Sequence, residues 1–200
     1  KKGKGGVVKT ENFGIIRRVM TKILSFIWEI GKIARIAFVL VIGLRMFVFQ
    51  PFLVRGASME DSFQNWDYLI VDELSYRFQE PARGEVIVFT FPQDTTQRYI
   101  KRIIGLPGET VEIENGIVSV VDDEGERILD ESAYVDPGET LGTVSMSLGE
   151  DEYFVMGDNR RSSSDSRIWG PLEEKFIIGK AFVRLFPIGE IEIKPGDYSR

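Results

Sequence analysis

The chain has 200 residues, no cysteine, no histidine and a formal charge of −6. That length suffices for one ordinary domain plus a short extra segment. The missing residue types exclude disulfides, thiolate chemistry, an imidazole base and the usual zinc site. Charge is unevenly divided. Residues 1–50 hold ten Lys/Arg against Glu11 and Glu29, a balance of +8; residues 51–200 hold 15 against 29 acids, a balance of −14. Such an acidic body would repel the phosphates of nucleic acid, so no nucleic-acid partner is expected. No Ca²⁺-loop spacing is present, and nothing in the sequence calls for a metal or a cofactor.

Residues 1–12 are polar and read as a frayed tail. From Phe13, apolar residues recur as Ile15/Ile16, Val19/Met20, Ile23/Leu24 and Ile27/Trp28, with Arg17, Arg18 and Lys22 between them. This is helical periodicity with a basic opposite face, suited to an anionic membrane surface. A solvated helix packing on the chain's own domain fits the same spacing. The segment 1–32 is therefore expected to be basic, cytoplasmic and amphipathic. Residues 33–53 approach the ~20 residues of a bilayer crossing, with Arg35 able to snorkel to the inner interface. Arg45 falls in the middle, where an arginine costs ~2.5–3.5 kcal/mol. A basic head before an apolar run places the N-terminus in the cytoplasm and the acidic body outside. The expectation is an uncleaved single-pass anchor in the cytoplasmic membrane, with membrane lipid as one partner. A cleaved leader ending near Gly56-Ala57-Ser58 is the alternative.

Beyond the anchor the pattern is β. Short apolar runs at 67–72, 84–91, 99–104, 110–113, 116–121, 152–156 and 176–186 are separated by Gly/Pro turns, and Asn115-Gly116 is a hairpin signal. Residues 122–150 are acidic and turn-rich, and read as a non-catalytic insertion. The expected fold is mainly β: an N-terminal helical membrane anchor, then an all-β domain, sandwich or barrel-like, over 54–200.

Without His or Cys, any nucleophile must be a Ser or Thr, and the base must be Lys, Asp, Glu or Tyr. Ser58, just past the apolar run in Arg55-Gly-Ala-Ser-Met59, is one candidate. Lys101 is the other half of a pair: period two on Tyr99–Ile104 sets it with Tyr99 and Ile103 on one face, where desolvation would lower its pKa. A strand lysine reaching out to water fits those residues as well. A third stretch, Gly157-Asp-Asn-Arg-Arg-Ser-Ser-Ser-Asp-Ser-Arg-Ile-Trp-Gly170, offers hydroxyls to orient an amine and Arg/Asp pairs to stiffen a loop.

Taken together, Gly56-Ala-Ser-Met59, Asp67–Val71, Arg83–Phe89, Tyr99–Glu109 and Gly157–Arg167 resemble, in order, the motifs of bacterial type I signal peptidases. The resemblance covers the chain from the anchor to about residue 186. It implies that Ser58 is the nucleophile, Lys101 the general base and Ser163 the hydroxyl that orients the lysine amine. It further implies that Asp158, Asp165 and Arg167 brace the site, that Gly56 occupies the oxyanion-hole position, and that Val54, Tyr99 and Ile100 line shallow pockets for small side chains. A two-sheet β fold binding its substrate as an added strand comes with the family, as does a substrate class, the signal peptides of exported preproteins.

The chain departs from the family's pattern after the nucleophile, where Asp61 and Ser62 replace proline and threonine, and at Trp66, which replaces a glycine. Glu60 and Asp61 are expected to raise the pKa of the lysine. These departures motivate a rival reading, a non-catalytic, membrane-tethered β module that binds exported chains. A cytosolic self-cleaving repressor peptidase would share the Ser/Lys chemistry but not the anchor.

Overall fold

A computed structural model describes residues 7–47, 49–60, 62–136 and 138–196. The chain divides into two compact units, Lys1–Met46 and Phe47–Arg200.

The first unit is one helix, α1 (Val7–Phe47). The amphipathic stretch from Phe13 and the apolar stretch from Ile33 are therefore continuous. No proline lies between the ends of α1, and a glycine such as Gly31 costs a helix only ~1 kcal/mol. Ile23, Phe26, Ile27, Trp28 and Phe38 are all exposed along it. Arg35 lies over the Trp28 ring at 5.3 Å; the Arg45 side chain is outside the described residues.

The expected apolar helix over 33–53 is corrected at its C-terminal end. Pro51 lacks an N–H and would clash with the carbonyl four residues back. The chain extends instead, and Phe49–Leu53 becomes strand β1. Among the described residues no helix is long and apolar enough to cross a membrane. Between Arg35 and Arg45 the uncharged run Ile36–Leu44 has nine residues, against the ~20 a bilayer core requires.

The second unit is built of strands β2 (Tyr68–Asp72), β3 (Val86–Thr90), β4 (Arg98–Gly105), β5 (Thr110–Glu114), β6 (Ile117–Asp122), β7 (Gly125–Ile128), β8 (Val144–Ser147), β9 (Glu152–Met156), β10 (Leu172–Glu173), β11 (Ile177–Phe186) and β12 (Glu192–Ile193). The larger sheet runs β1-β2-β11-β3-β4-β9-β10, with β12 on β11; the smaller runs β7-β6-β5-β8. Pro51 is tolerated because β1 lies on an edge. The β5–β6 hairpin turns at Asn115 and Gly116, both at positive φ (52° and 82°), as a two-residue turn of that composition should.

β3 illustrates why the larger sheet is stable. Its Val-Ile-Val-Phe run is buried on both faces, with Val86 and Val88 in one core and Ile87 and Phe89 in another. Each such side chain contributes about 1.5–3 kcal/mol of burial. A third core, centred on Val111, Val120, Phe154 and Met156, packs residues of the smaller sheet with residues of β9. Residues 122–150, read from the sequence as a turn-rich, non-catalytic insertion, supply β7 and β8, the two edges of the smaller sheet. β7 is wholly exposed, so it carries no alternation that a sequence pattern could detect.

Candidate active site

Ser58 sits in a turn rather than in a strand, and the turn is pinned from below. Met59 is buried in the core beside Phe63, whose N–H donates to the Met59 carbonyl at 2.7 Å. Gly56 has φ +95°, a left-handed conformation that glycine adopts without cost. Its N–H donates to Asn65 Oδ1 at 3.1 Å. Among the described residues no acceptor is paired with the Ser58 N–H.

Strand β4 brings Lys101 to this turn. The side chain is 3% exposed, and its Nζ lies 2.7 Å from Ser58 Oγ while donating 2.9 Å to the Ile100 carbonyl. Burial lowers the pKa to about 8, opposed by the charges of Asp165 and Asp158. Among the described residues, these two are the anions that act on the amine. Glu60, expected to do so, is exposed and accepts from Asn159 Nδ2 at 3.3 Å, and Asp61 lies outside the described residues. A buried amine near pH 8 in contact with a hydroxyl is equipped to exchange a proton with it.

The third wall is the loop that begins at Gly157. A Cβ at Gly157 would come within 2.3 Å of both the Ser58 carbonyl and Ser163 Oγ, so only glycine lets the loop lie this close. The Asn159 N–H donates to the Ser58 carbonyl at 3.1 Å. Asp165 accepts from the Gly157 N–H at 3.1 Å and from Arg167 Nε at 2.8 Å, and it caps α2 (Ser166–Trp169). Asp158 is held by both Arg102 Nε and Nη2, at 2.8 and 2.6 Å. Ser163 is part of this loop, but its buried Oγ has no hydrogen-bond partner among the described residues, so the hydrogen bond to the Lys101 amine that the resemblance implies is not made.

The pair opens into a cleft of about 480 Å³, lined by Leu53, Gly56, Ser58, Tyr99, Ile100 and Lys101 among others. Val54 is not on its surface; at 2% exposure it belongs to the core with Met59 and Ile100. Along the cleft β4 has an open edge. It pairs with β9 only from Arg102 to Gly105, leaving residues 98–101 unpaired on that side. No group of carboxylates among the described residues is arranged to hold a metal ion.

Three supports escaped the sequence reading. Arg102 directly follows Lys101, and its opposite strand parity was the available signal. Arg160, also buried, donates to the Gly157 carbonyl at 3.0 Å, to Glu131 at 2.6 and 2.8 Å, and to Thr140 at 2.6 Å. Glu131 lies in the 122–150 segment, and nothing local in sequence ties it to the loop. Trp66, in the place of a glycine, holds φ +79°, and Arg55 covers its ring at 5.8 Å.

The chain is similar to several known proteins. A probable signal peptidase I-2 from Synechocystis sp. is 37% identical over 86% of this chain and 79% of its own length. A probable signal peptidase I-1 from the same organism is 40% identical over 82% and 84%. The crystal structure of a signal peptidase I from Enterococcus faecalis V583 shares 30% identity, covering 51% of this chain and 97% of that one, at a TM-score of 0.43. Residues 27–186 match the family described as signal peptidase, peptidase S26. That match takes in the Ser58 turn, β4 and the Gly157 loop alike, and the chain belongs to the signal peptidase S26 family.

Proposed function

We propose that this chain is a serine endopeptidase that removes signal peptides from exported preproteins, with Ser58 as nucleophile and Lys101 as general base. The observation that carries the reading is the 2.7 Å approach of Lys101 Nζ to Ser58 Oγ. The amine has one lone pair when neutral. It keeps its donation to Ile100 and accepts the Ser58 proton as Oγ attacks the scissile carbonyl. The Ser58 N–H is available to the developing oxyanion, whereas that of Gly56 is engaged with Asn65. The Lys101 ammonium returns the proton to the departing amine, leaving an ester on Ser58. Neutral again, Lys101 deprotonates a water that attacks the ester, and Ser58 recovers its hydrogen.

Asp158, Asp165 and Arg167 are read as braces that hold the Gly157 loop against Ser58. Ser163 is read as a hydroxyl close to the pair. The unpaired edge of β4 supports a substrate bound as an added strand, with Tyr99 and Ile100 beside its small side chains. Helix α1 is proposed to hold the chain at the cytoplasmic membrane, with the N-terminus inside and the β domain outside; its uncharged run of nine residues falls short of a bilayer core, so this placement requires the flanking cations to reach the two interfaces across a locally thinned bilayer. Its exposed apolar surface and the +8 balance of residues 1–50 support this placement.

The test is incubation of the purified full chain with a preprotein in neutral detergent. A product cut after a small residue is expected, and none from Ser58→Ala. Equal cleavage by that variant removes Ser58 from the mechanism. For the topology, protease added to the outside of intact spheroplasts should digest the β domain; protection there overturns the placement.

A further inference from the structure

The Gly157 loop is gripped from a part of the chain that holds none of the residues assigned to the chemistry. Gly157 is fixed at both of its polar backbone atoms: its N–H donates to Asp165 at 3.1 Å, and its carbonyl accepts from Arg160 Nε at 3.0 Å. Asp165 belongs to the loop. Arg160 does too, but the rest of its guanidinium reaches outside. Nη1 and Nη2 donate to Glu131 at 2.8 and 2.6 Å, and Nη1 also donates to Thr140 Oγ1 at 2.6 Å.

The same short segment makes two further ties. The Tyr134 ring stacks 4.0 Å from the Arg102 guanidinium that holds Asp158, and Glu139 pairs with Arg161 Nε at 2.6 Å. Residues 131–140 thus reach loop residues 157, 158 and 161 by three routes. Glu131 also closes its own turn: its carbonyl accepts from the Tyr134 and Val135 N–H groups at 3.0 and 2.9 Å, and its carboxylate accepts from the Tyr134 hydroxyl at 3.2 Å. The side chains of Arg160 and Glu131 are 0% and 11% exposed, so the carboxylate is what makes a buried cation tolerable there.

On the other side of the loop lies the nucleophile. The Asn159 N–H donates to the Ser58 carbonyl at 3.1 Å, and a Cβ on Gly157 would fall 2.3 Å from that same oxygen. The backbone of Lys101 is set elsewhere, by the pairing of β4 with β3. Of the two reacting groups, Ser58 is the one whose place the loop decides.

We infer that Glu131 is a positioning residue for the cleavage reaction: through Arg160 and the Gly157 carbonyl, with Thr140 as a second anchor, it keeps Ser58 Oγ at reacting distance from Lys101 Nζ. The inference rests on the peptidase reading above. It gives part of the 122–150 stretch a share in the rate. Without the Glu131 carboxylate, the Arg160 guanidinium is a buried cation short of counter-charge and turns toward water. Its Nε then leaves the Gly157 carbonyl, and the loop loosens against Ser58. A reacting pair misplaced by ~1 Å loses on the order of 100-fold in rate, and a loosened pair loses less. Tyr99 and Ile100 in the cleft are not touched, so substrate binding is spared.

The test measures kcat and KM separately for preprotein cleavage by the full chain in neutral detergent. It is run at pH 9, above the Lys101 pKa of about 8, so that the proton on the amine is not the variable. Glu131→Gln should lower kcat about tenfold and leave KM within about twofold. Thr140→Val removes one acceptor from Arg160 but no counter-charge, and should lower kcat about threefold; it carries the test if Glu131→Gln does not fold. Val120→Ala, in the core of the smaller sheet, is the control for stability alone: its thermal midpoint should fall while kcat holds. An unchanged kcat in the folded loop-anchor variants, a rise in KM alone, or an equal loss of kcat in Val120→Ala overturns the inference and leaves the peptidase reading intact. If the unaltered chain cuts no preprotein, the peptidase reading fails, and the positioning role falls with it.

Discussion

Lys101 and Arg102 are consecutive residues of β4, at 3% and 0% exposure, and their surroundings treat charge in opposite ways. Arg102 is met by both oxygens of Asp158, by the carbonyls of Gly84 and Gly196, and by the Tyr134 ring at 4.0 Å. Lys101 is met by a hydroxyl and a carbonyl, with no carboxylate in contact among the described residues. A strand turns successive side chains to opposite faces, so a single register delivers one cation to a fixed brace and its neighbour to a place where it can lose a proton. Counter-charge, more than depth, separates the two.

The largest effect expected is on Lys101 and its partner. Lys101→Met and Ser58→Ala should each lower preprotein cleavage by roughly a thousandfold or more, measured by gel shift of the cleaved product. Arg102→Met should strand a buried Asp158 and destabilise the domain by about 3–5 kcal/mol, read from urea unfolding. Lys101→Met should do the reverse. A lysine with a folded pKa of about 8 against 10.5 weakens folding as pH falls from 10.5 to 8, and by a constant amount below that. Replacing it should add about 3 kcal/mol at pH 7, a gain that disappears above pH 10.5. If both variants destabilise the domain alike, the contrast between the two residues fails.

The same pKa sets the activity profile. kcat/KM should rise about tenfold per pH unit up to about 8 and level off above it, following the neutral fraction of Lys101. A profile flat from pH 6 to 9 would separate the reaction from this amine. Smaller effects test the supports. Glu131→Gln leaves the Arg160 guanidinium short of its charge partner and should cost about 1–3 kcal/mol of stability. Tyr134→Leu removes the ring from Arg102 and should cost about 1 kcal/mol, both read from thermal melts of the β domain's near-UV signal.

How much of this was legible in the sequence depended on distance along the chain. β3, β4 and the Asn115-Gly116 hairpin were readable because their patterns are local: apolar runs and a turn dipeptide. The pairing of Ser58 with Lys101 came from motif resemblance, since no periodicity links residues 43 positions apart. β1 was absorbed into the apolar run before it, because Phe49, Phe52 and Leu53 serve a sheet edge as readily as a helix; only Pro51 marked the change. The tie from Glu131 to Arg160 was invisible for a different reason. An acidic residue in an acidic, turn-rich stretch looks solvated until the fold supplies its arginine.

The unpaired backbone of β4 at 98–101 has one more consequence. Exposed strand edges invite a second copy of the same chain to add on, which is how sheets aggregate. Here the stretch ends at a guanidinium, so two copies approaching edge to edge would bring like charges together. A chain that must keep a strand's place vacant for passing guests is thus guarded against filling it with itself.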